Sequence, residues 1–404
     1  MGSAFFQKMQ RVKGRDLIAI FKFLIAVPVS WIVKRSHRDL WLICDSENEA
    51  RDNGYAFFRY LRNEHPDREV IYAINQKSPD VNRVKEIGPV VHWGSLKHWV
   101  YYLVATANIS SQKEGKPNAA VCYVLEVYGL RKNFRVFLQH GVIHNDLEFL
   151  HYKNSKMSLF LCSTEDEYNY IKEKFGYPEG AVVRTGLSRF DNLVDRSVNK
   201  KQILIMPTWR SWIGNITNAS YQFDNVSSFT NTEYYQAWSS FLRNPDLMNL
   251  LEEHDINMVF YPHRRMQPYL RQFASMNERI RIAGWPEDDV QELLCESNVL
   301  ITDYSSIAMD FAMLQKPLIY YQFDYEKFRK GQYSTGYFSY EKDGFGPVCT
   351  SEEDVIKQLW DICEEGMLMP GEYRKKVENF FPTNDYKNSE RVYGAIVKRM
   401  EDFV

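Results

Sequence analysis

Val299-Leu300-Ile301-Thr302-Asp303-Tyr304-Ser305-Ser306 runs from a short apolar stretch straight into a cluster of hydroxyl and carboxyl side chains. The apolar part predicts a buried strand, and the polar part a turn at its carboxyl end. A helix through Leu314 follows. Thr302, Asp303 or Ser305 can cap that helix, whose first amide N–H groups have no intrahelical partners. With the hydroxyls of Ser305 and Ser306, these groups could cradle a phosphate without a glycine-rich loop. Asp310 lies one turn further on. A plain capped helix accounts for the same residues, so the segment alone leaves both readings open.

Working outward, the same pattern recurs. Gln202-Ile203-Leu204-Ile205-Met206 ends in Pro207-Thr208-Trp209-Arg210, and Asn257-Met258-Val259-Phe260-Tyr261 ends in Pro262-His263-Arg264-Arg265. Upstream, strands are predicted at 39–44, 70–74, 90–93, 107–110, 134–138 and 159–162. Helices are predicted at 53–63, from the Ser95 cap to Tyr102, and from Ser163 or Thr164 onward. A further strand is read at 317–321, and a helix near 234–241 follows a long polar, aromatic stretch. Strands alternating with helices predict parallel sheets covered on both faces. The chain divides into a segment 1–38, an α/β domain 39–198 and a second α/β domain 199–404 that includes the C-terminal helices. Ligands of such sheets bind beyond the carboxyl ends of the strands, so the cleft between two facing domains is the expected site.

The 404 residues are 45% hydrophobic and 25% charged, which excludes a disordered or low-complexity chain. Lys plus Arg number 50 against 52 Asp plus Glu, so no overall positive field favours nucleic acid. The six cysteines form no CxxC pair and mostly sit in apolar runs, as buried thiols do. The sequons at Asn215, Asn218 and Asn225 would matter only in a secreted chain, and nothing else in the sequence reads as secreted.

Residues 4–38 carry Lys8, Arg11, Lys13, Arg15, Lys22, Lys34, Arg35 and Arg38 against the single acid Asp16. The apolar run 17–33 between them contains Trp31 and is interrupted by Lys22 and Pro28. It falls short of the ~20 apolar residues of a membrane span. A basic, Trp-containing segment fits a helix lying in the headgroup region of an anionic membrane. An ordinary first helix packed on the core is the other reading.

Two further clusters follow predicted strands, Gln139-His140-Gly141 after Leu138 and Thr185-Gly186-Leu187-Ser188-Arg189-Phe190-Asp191 after Val182-Val183. His140 could take a proton from a hydroxyl, with Gly141 letting substrate approach the backbone. His263, if protonated, would balance the charge of a pyrophosphate. Taken singly, either histidine could equally be structural. Asp288-Asp289 sits at a helix start, where acids cap. No cluster has metal-ligand spacing, so neither a metal nor another cofactor is expected.

Taken in order, Gln139-His140-Gly141, Gly186-Leu187-Ser188-Arg189-Phe190-Asp191, Pro207-Thr208-Trp209-Arg210, Pro262-His263 and Thr302-Asp303-Tyr304-Ser305-Ser306 resemble the CDP-glycerol glycerophosphotransferases of teichoic acid and capsule synthesis. Asp45-Ser46-Glu47-Asn48-Glu49-Ala50-Arg51-Asp52-Asn53-Gly54 is similar to the family's N-terminal signature. The resemblance covers residues 39–380.

It implies a GT-B architecture: two Rossmann-like domains facing across a cleft, the first on the acceptor side and the second binding the CDP-polyol. It implies a peripheral enzyme on the cytoplasmic face of the bacterial cell membrane. This enzyme would transfer polyol phosphate to a lipid-linked polyol-phosphate or disaccharide acceptor and release CMP. His140 and His263 fall on the family's two histidines. Arg189, Thr208, Arg210, Ser305, Ser306 and Asp310 fall on donor-binding positions. Val142-Ile143-His144-Asn145-Asp146 departs from the Thr-Pro and Lys that follow the first histidine in many members, which leaves glycerol or ribitol open. Another GT-B glycosyltransferase, a nucleotide-sugar epimerase and a non-catalytic membrane scaffold are the rival expectations. In the transferase reading, His140 is the base, while Arg210, His263 and Ser305-Ser306 hold the pyrophosphate.

Overall fold

The computed structural model describes residues 14–130, 133–213, 229–273 and 277–403. Lys8, Arg11 and Lys13, and the sequons at Asn215, Asn218 and Asn225, lie outside the described residues. The chain forms two compact units. The first comprises residues 1–140, 148–191 and 385–404, and the second comprises 141–147 and 192–384.

In the first unit, β1 (Trp41–Cys44), β2 (Val70–Ile74), β3 (Val90–His92), β4 (Ala107–Ser110), β5 (Arg135–Phe137), β6 (Leu159–Cys162) and β7 (Val182–Arg184) form one sheet. Its order is β3-β2-β1-β4-β5-β6-β7 and every pairing is parallel. Strands buried on both faces are apolar throughout, and alternation sends neighbours to opposite sides. Trp41, Ile43, Tyr72 and Ile109 join one core. Leu42, Cys44, Ile71 and Ala73 join the other.

Three helices cover the second of these faces or flank it: α1 (Gly14–Val33), α3 (Leu96–Val104) and α4 (Ala119–Val127). The small residues Ala19, Ala26 and Ser30 are buried, which lets α1 approach α3 closely. Phe23 meets Trp99 edge-on at 5.6 Å, and Lys22 Nζ donates to the Gly94 carbonyl at 2.7 Å. On the outer side of α1, Leu17, Phe21, Leu24, Trp31 and Ile32 are 61–73% exposed. The two sequence readings of this segment are therefore compatible: one stripe packs on the protein and the other remains apolar and bare. At 20 residues the helix is longer than the run read from sequence, and by length and apolarity alone it could cross a membrane.

The opposite face is covered by α2 (Asn53–Glu64) and by the C-terminal helix Asn388–Phe403, whose Val392 and Ile396 are buried among Trp41, Phe57 and Leu61. This corrects the sequence division, which gave all of 199–404 to the second domain. The helix belongs to the first unit because its apolar stripe is needed to close that sheet.

The second unit repeats the plan. Its strands are β8 (Gln202–Ile205), β9 (Asn257–Phe260), β10 (Ile280–Ile282), β11 (Val299–Thr302), β12 (Leu318–Tyr321) and β13 (Val348–Cys349). The order is β10-β9-β8-β11-β12-β13, again wholly parallel. Both sheets thus share the strand order of dinucleotide-binding folds, with the direction of winding reversing between their first and fourth strands. One face of the second core gathers Trp238, Phe241, Leu250, Phe260 and Leu359. All six cysteines are free and buried.

The segment 141–147 leaves the first unit to join the second. Asn145-Asp146 pairs antiparallel with Ser334-Thr335, and His144 Nε2 lies 3.0 Å from the Tyr340 hydroxyl.

Candidate active site

In the first unit, polar residues gather at the carboxyl ends of β1, β4 and β5. Asp45, just after β1, is buried and accepts the Ser111 hydroxyl at 2.7 Å and the Tyr72 hydroxyl at 2.9 Å. It also accepts the amides of Asp52, Gly54 and Tyr55. Burial, and then the neighbouring Asp52, pushes its carboxyl up to about 6. This carboxylate pins the turn that starts α2. Gly54 is required there, because a Cβ would stand 2.4 Å from Asp45 Oδ1 and 2.6 Å from the Cys44 carbonyl oxygen.

The pinned turn presents Asp52, the N-cap of α2, to His140. His140 Nδ1 lies 2.5 Å from Asp52 Oδ2, and the Arg189 guanidinium lies 2.6 Å from Asp52 Oδ1. Arg189 also donates to the His140 carbonyl at 2.8 Å, and its amide donates to Asn53 Oδ1 at 3.0 Å. Asn53 Nδ2 in turn donates to the Gln139 carbonyl at 2.8 Å. Burial works against ionisation of Asp52, yet His140 and Arg189 outweigh it and hold the carboxyl below its usual range. Asp52, opposed by the loss of solvation, raises the imidazole of His140. The His140 side chain is 66% exposed, so its second nitrogen is open to a substrate while the first is fixed.

Gly141 is buried and is not where the backbone departs from the ordinary. The left-handed position is Gln139, at φ 71°. Its carbonyl is held by Asn53, and its Nε2 donates to Glu167 at 2.9 Å. The bend that aims His140 is therefore built by Gln139 and its partners.

In the second unit, Thr208 follows β8, His263 follows β9, and Thr302 ends β11 with Asp303 just after it. Asp303 Oδ1 accepts the amides of Thr208 and Tyr304 at 2.9 and 2.6 Å, and Thr302 Oγ1 donates to the Met206 carbonyl at 2.7 Å. These bonds stitch the two strand ends together at the reversal of winding. Arg210 is fully buried. It donates to Asp303 at 2.8 Å and to Asp324 at 2.7 and 3.0 Å, with Tyr234, Tyr304, Phe323 and Phe328 around the guanidinium. This corrects the expectation that Arg210 holds a pyrophosphate. A guanidinium with no exposed surface and two carboxylates already on it fixes the loops that carry Thr208 and Asp303.

His263 is half-buried. Its Nδ1 accepts the Arg265 amide at 3.2 Å, which leaves Nε2 to carry the ring N–H. The cations behind it stack on indoles: Arg264 stands 3.5 Å above Trp285, and Arg265 4.0 Å above Trp209.

Ser305 and Ser306 are half-buried at the start of α5 (Ile307–Met313), and Ser305 Oγ accepts the Ile307 amide at 3.4 Å. Asp310 is buried in its first turn. Asp289 caps the helix Val290–Glu296, as its position suggested. Among the described residues, no three His, Cys, Asp or Glu side chains gather as a metal site.

Asp45, Asn53 and above all Asp52 carry roles that the sequence reading did not give them. All three lie in the stretch read as an N-terminal signature. Asp52-Asn53-Gly54 at a helix start was the available signal.

Two Rossmann-like sheets with polar clusters on their carboxyl edges are the domain pair of the GT-B fold class. A family model described as CDP-glycerol:poly(glycerophosphate) glycerophosphotransferase matches residues 25–398, and the chain belongs to that family. The minor teichoic acid biosynthesis protein GgaB of Bacillus subtilis is 29% identical over 394 residues, covering 94% of this chain and 42% of that protein. A teichoic acid poly(ribitol-phosphate) polymerase of Bacillus spizizenii is 26% identical over 278 residues, covering 62% of this chain and 39% of its own. The chain thus spans less than half the length of these relatives. Among solved structures, the wall teichoic acid polymerase TagF in its H548A form shares the fold with a TM-score of 0.67 at 16% identity, covering 95% of this chain and 98% of the other.

Proposed function

We propose that the chain transfers polyol phosphate, glycerol phosphate in the first instance, from a CDP-polyol to a hydroxyl of a lipid-linked teichoic acid or capsule precursor. CMP is released. The observation that carries this reading is the His140–Asp52–Arg189 network in a chain of this family. Asp52 fixes the Nδ1 side of the ring, and Nε2 is left as the base. In the reaction, Nε2 takes the proton of the acceptor hydroxyl, whose oxygen forms a bond to the β-phosphorus of the donor. The bond from that phosphorus to the bridging oxygen breaks, and its electron pair leaves with CMP. Such a transfer depends on alignment and charge stabilisation more than on covalent help.

On the donor side we assign His263 Nε2–H, Thr208, the hydroxyls of Ser305 and Ser306, and Asp310 as a support of their turn. Arg210 acts at one remove, through Asp303 and Thr208. Arg189 divides its hydrogen bonds between Asp52 and the His140 carbonyl, which makes it a partner of the base. CDP-ribitol is the second donor to test, because a ribitol-phosphate polymerase is among the relatives. We place the enzyme peripherally on the cytoplasmic face of the cell membrane. The bare stripe of α1 and its flanking Arg15, Lys34 and Arg35 would rest on anionic headgroups.

The test is incubation with CDP-glycerol and CDP-ribitol separately, each with and without a lipid-linked acceptor. Acceptor-dependent CMP release that His140→Ala abolishes is expected. Release of a nucleoside diphosphate from a nucleotide sugar, or no turnover of either CDP-polyol, overturns the reading.

A further inference from the structure

The second sheet orders four carboxyl-end segments along one edge. Gly284-Trp285 follows β10, His263 follows β9, Thr208 follows β8, and Ser305-Ser306 follows β11. Neighbouring strands lie about 4.8 Å apart, so three steps, about 14 Å, separate the ends of β10 and β11. The hydroxyl-bearing segments occupy one end of this row. The opposite end, at the edge strand, is aromatic.

There the Arg264 guanidinium lies 3.5 Å from the centre of the Trp285 ring, and both side chains are half-buried. The stack is held in place. The Trp285 amide donates to Gln267 Oε1 at 3.0 Å, and Gln267 Nε2 donates to the Pro262 carbonyl at 3.2 Å, one residue before His263. The Gly284 amide donates to Asp288 Oδ2 at 3.0 Å, and a Cβ on Gly284 would meet Leu270 Cδ1 at 2.7 Å. Gln267 thus couples the position of the indole to the loop that carries His263. Flat guanidinium and indole faces stack on nucleobases, and every base offers a π-face to them.

We infer that the Arg264–Trp285 stack is the subsite for the pyrimidine base of the donor nucleotide, which lies along the carboxyl edge with its phosphates toward Thr208 and Ser305-Ser306. This assignment rests on the proposed function and adds the residues that take the base. No bond is made or broken there. The stack contributes to the grip on the nucleotide equally in ground and transition states, so its loss raises KM and leaves kcat.

The experiment titrates CMP, and separately inorganic pyrophosphate, into the wild type, Trp285→Ala, Trp285→Phe and Arg264→Ala, with CDP-glycerol kinetics alongside. Stacking of a base on an aromatic ring corresponds to about 5- to 150-fold in affinity. Trp285→Ala is expected to weaken CMP binding and raise the KM for CDP-glycerol within that range, at unchanged kcat. Trp285→Phe should restore most of the loss, and Arg264→Ala should lose part of it. Pyrophosphate, which has no base, should inhibit all four proteins alike. CMP affinity unchanged in a folded Trp285→Ala protein overturns the inference. So does an equal loss of CMP and pyrophosphate, which would mean a collapsed loop. A wild type that turns over neither CDP-polyol counts against the proposed function instead, and CMP binding still reports on the subsite.

Discussion

His140 Nδ1 and Asp52 Oδ2 stand 2.5 Å apart, joining residues 88 positions distant in the chain. A carboxylate at that distance fixes which nitrogen of the ring keeps its proton and how readily the other accepts one. Removing its charge while keeping its shape, as Asp52→Asn does, should change both. Asp52 raises the imidazole, and a base works in its neutral form, so wild-type activity grows as pH rises through that raised value. In Asp52→Asn the acidic limb of kcat/KM should move to lower pH, toward the usual histidine value of about 6.5. The plateau should fall because the tautomer is no longer held. Removing the base itself, in His140→Ala, should cost about 100- to 10,000-fold in kcat with near-normal donor affinity. An unshifted limb in Asp52→Asn would detach Asp52 from the chemistry.

For His263 the expected failure is different. Its Nε2–H is assigned to the donor phosphates, and a hydrogen bond to a charged group is worth about 1.5–3 kcal/mol. His263→Ala should therefore weaken CDP-glycerol binding by about 10- to 150-fold. Calorimetric titration separates this from His140→Ala. Equal donor affinities in both variants would remove His263 from the donor site.

Arg210→Ala should act through stability. It strands Asp303 and Asp324 in the interior, and breaking a buried ion pair on one side costs about 3–5 kcal/mol. Urea unfolding should show a large drop in midpoint. A variant of wild-type stability that has lost only donor affinity would return Arg210 to the phosphate site.

Gly54→Ala tests the turn beneath Asp52. The added methyl collides with Asp45 and with the Cys44 carbonyl, neither of which is the far end of a flexible chain. A loss of about 1–3 kcal/mol is expected. Activity should fall further than stability predicts, because Asp52 moves with the turn. Unchanged melting and turnover would show that the turn is softer than its packing.

Membrane association should be tested by substitution, because deletion of α1 would bare Trp99 and its neighbours in the core. Phe21→Glu with Leu24→Glu changes only the exposed stripe. Liposome sedimentation with anionic lipid should drop sharply, and CMP binding should persist. Equal sedimentation of variant and wild type would argue for another membrane contact.

The two sheets were legible because buried parallel strands are short apolar runs that end in polar residues, as at 41–44, 202–205 and 299–302. Ile280-Arg281-Ile282 and Val348-Cys349 were missed, since two or three residues at a sheet edge carry no periodic signal. Among site residues, His140 and His263 stood out by type and position. Arg210 was misplaced because a guanidinium after a strand looks the same in sequence whether a ligand or two carboxylates await it. Asp52 was passed over because its partner is fixed only by the register of β1 against β4 and β5.

The C-terminal helix has a consequence for synthesis. The strands of the first sheet are complete by Arg184, yet Val392 and Ile396, which cover one of its faces, follow the whole second unit in the chain. On the ribosome the first unit therefore waits, with Trp41 and Phe57 partly uncovered, until the second has been translated. That packing joins Trp41 and Phe57 to Val392 and Ile396 across the whole intervening second unit. A nascent chain halted near residue 384 would hold a finished second unit beside an uncapped first one, a form that exposes sticky surface to chaperones and proteases.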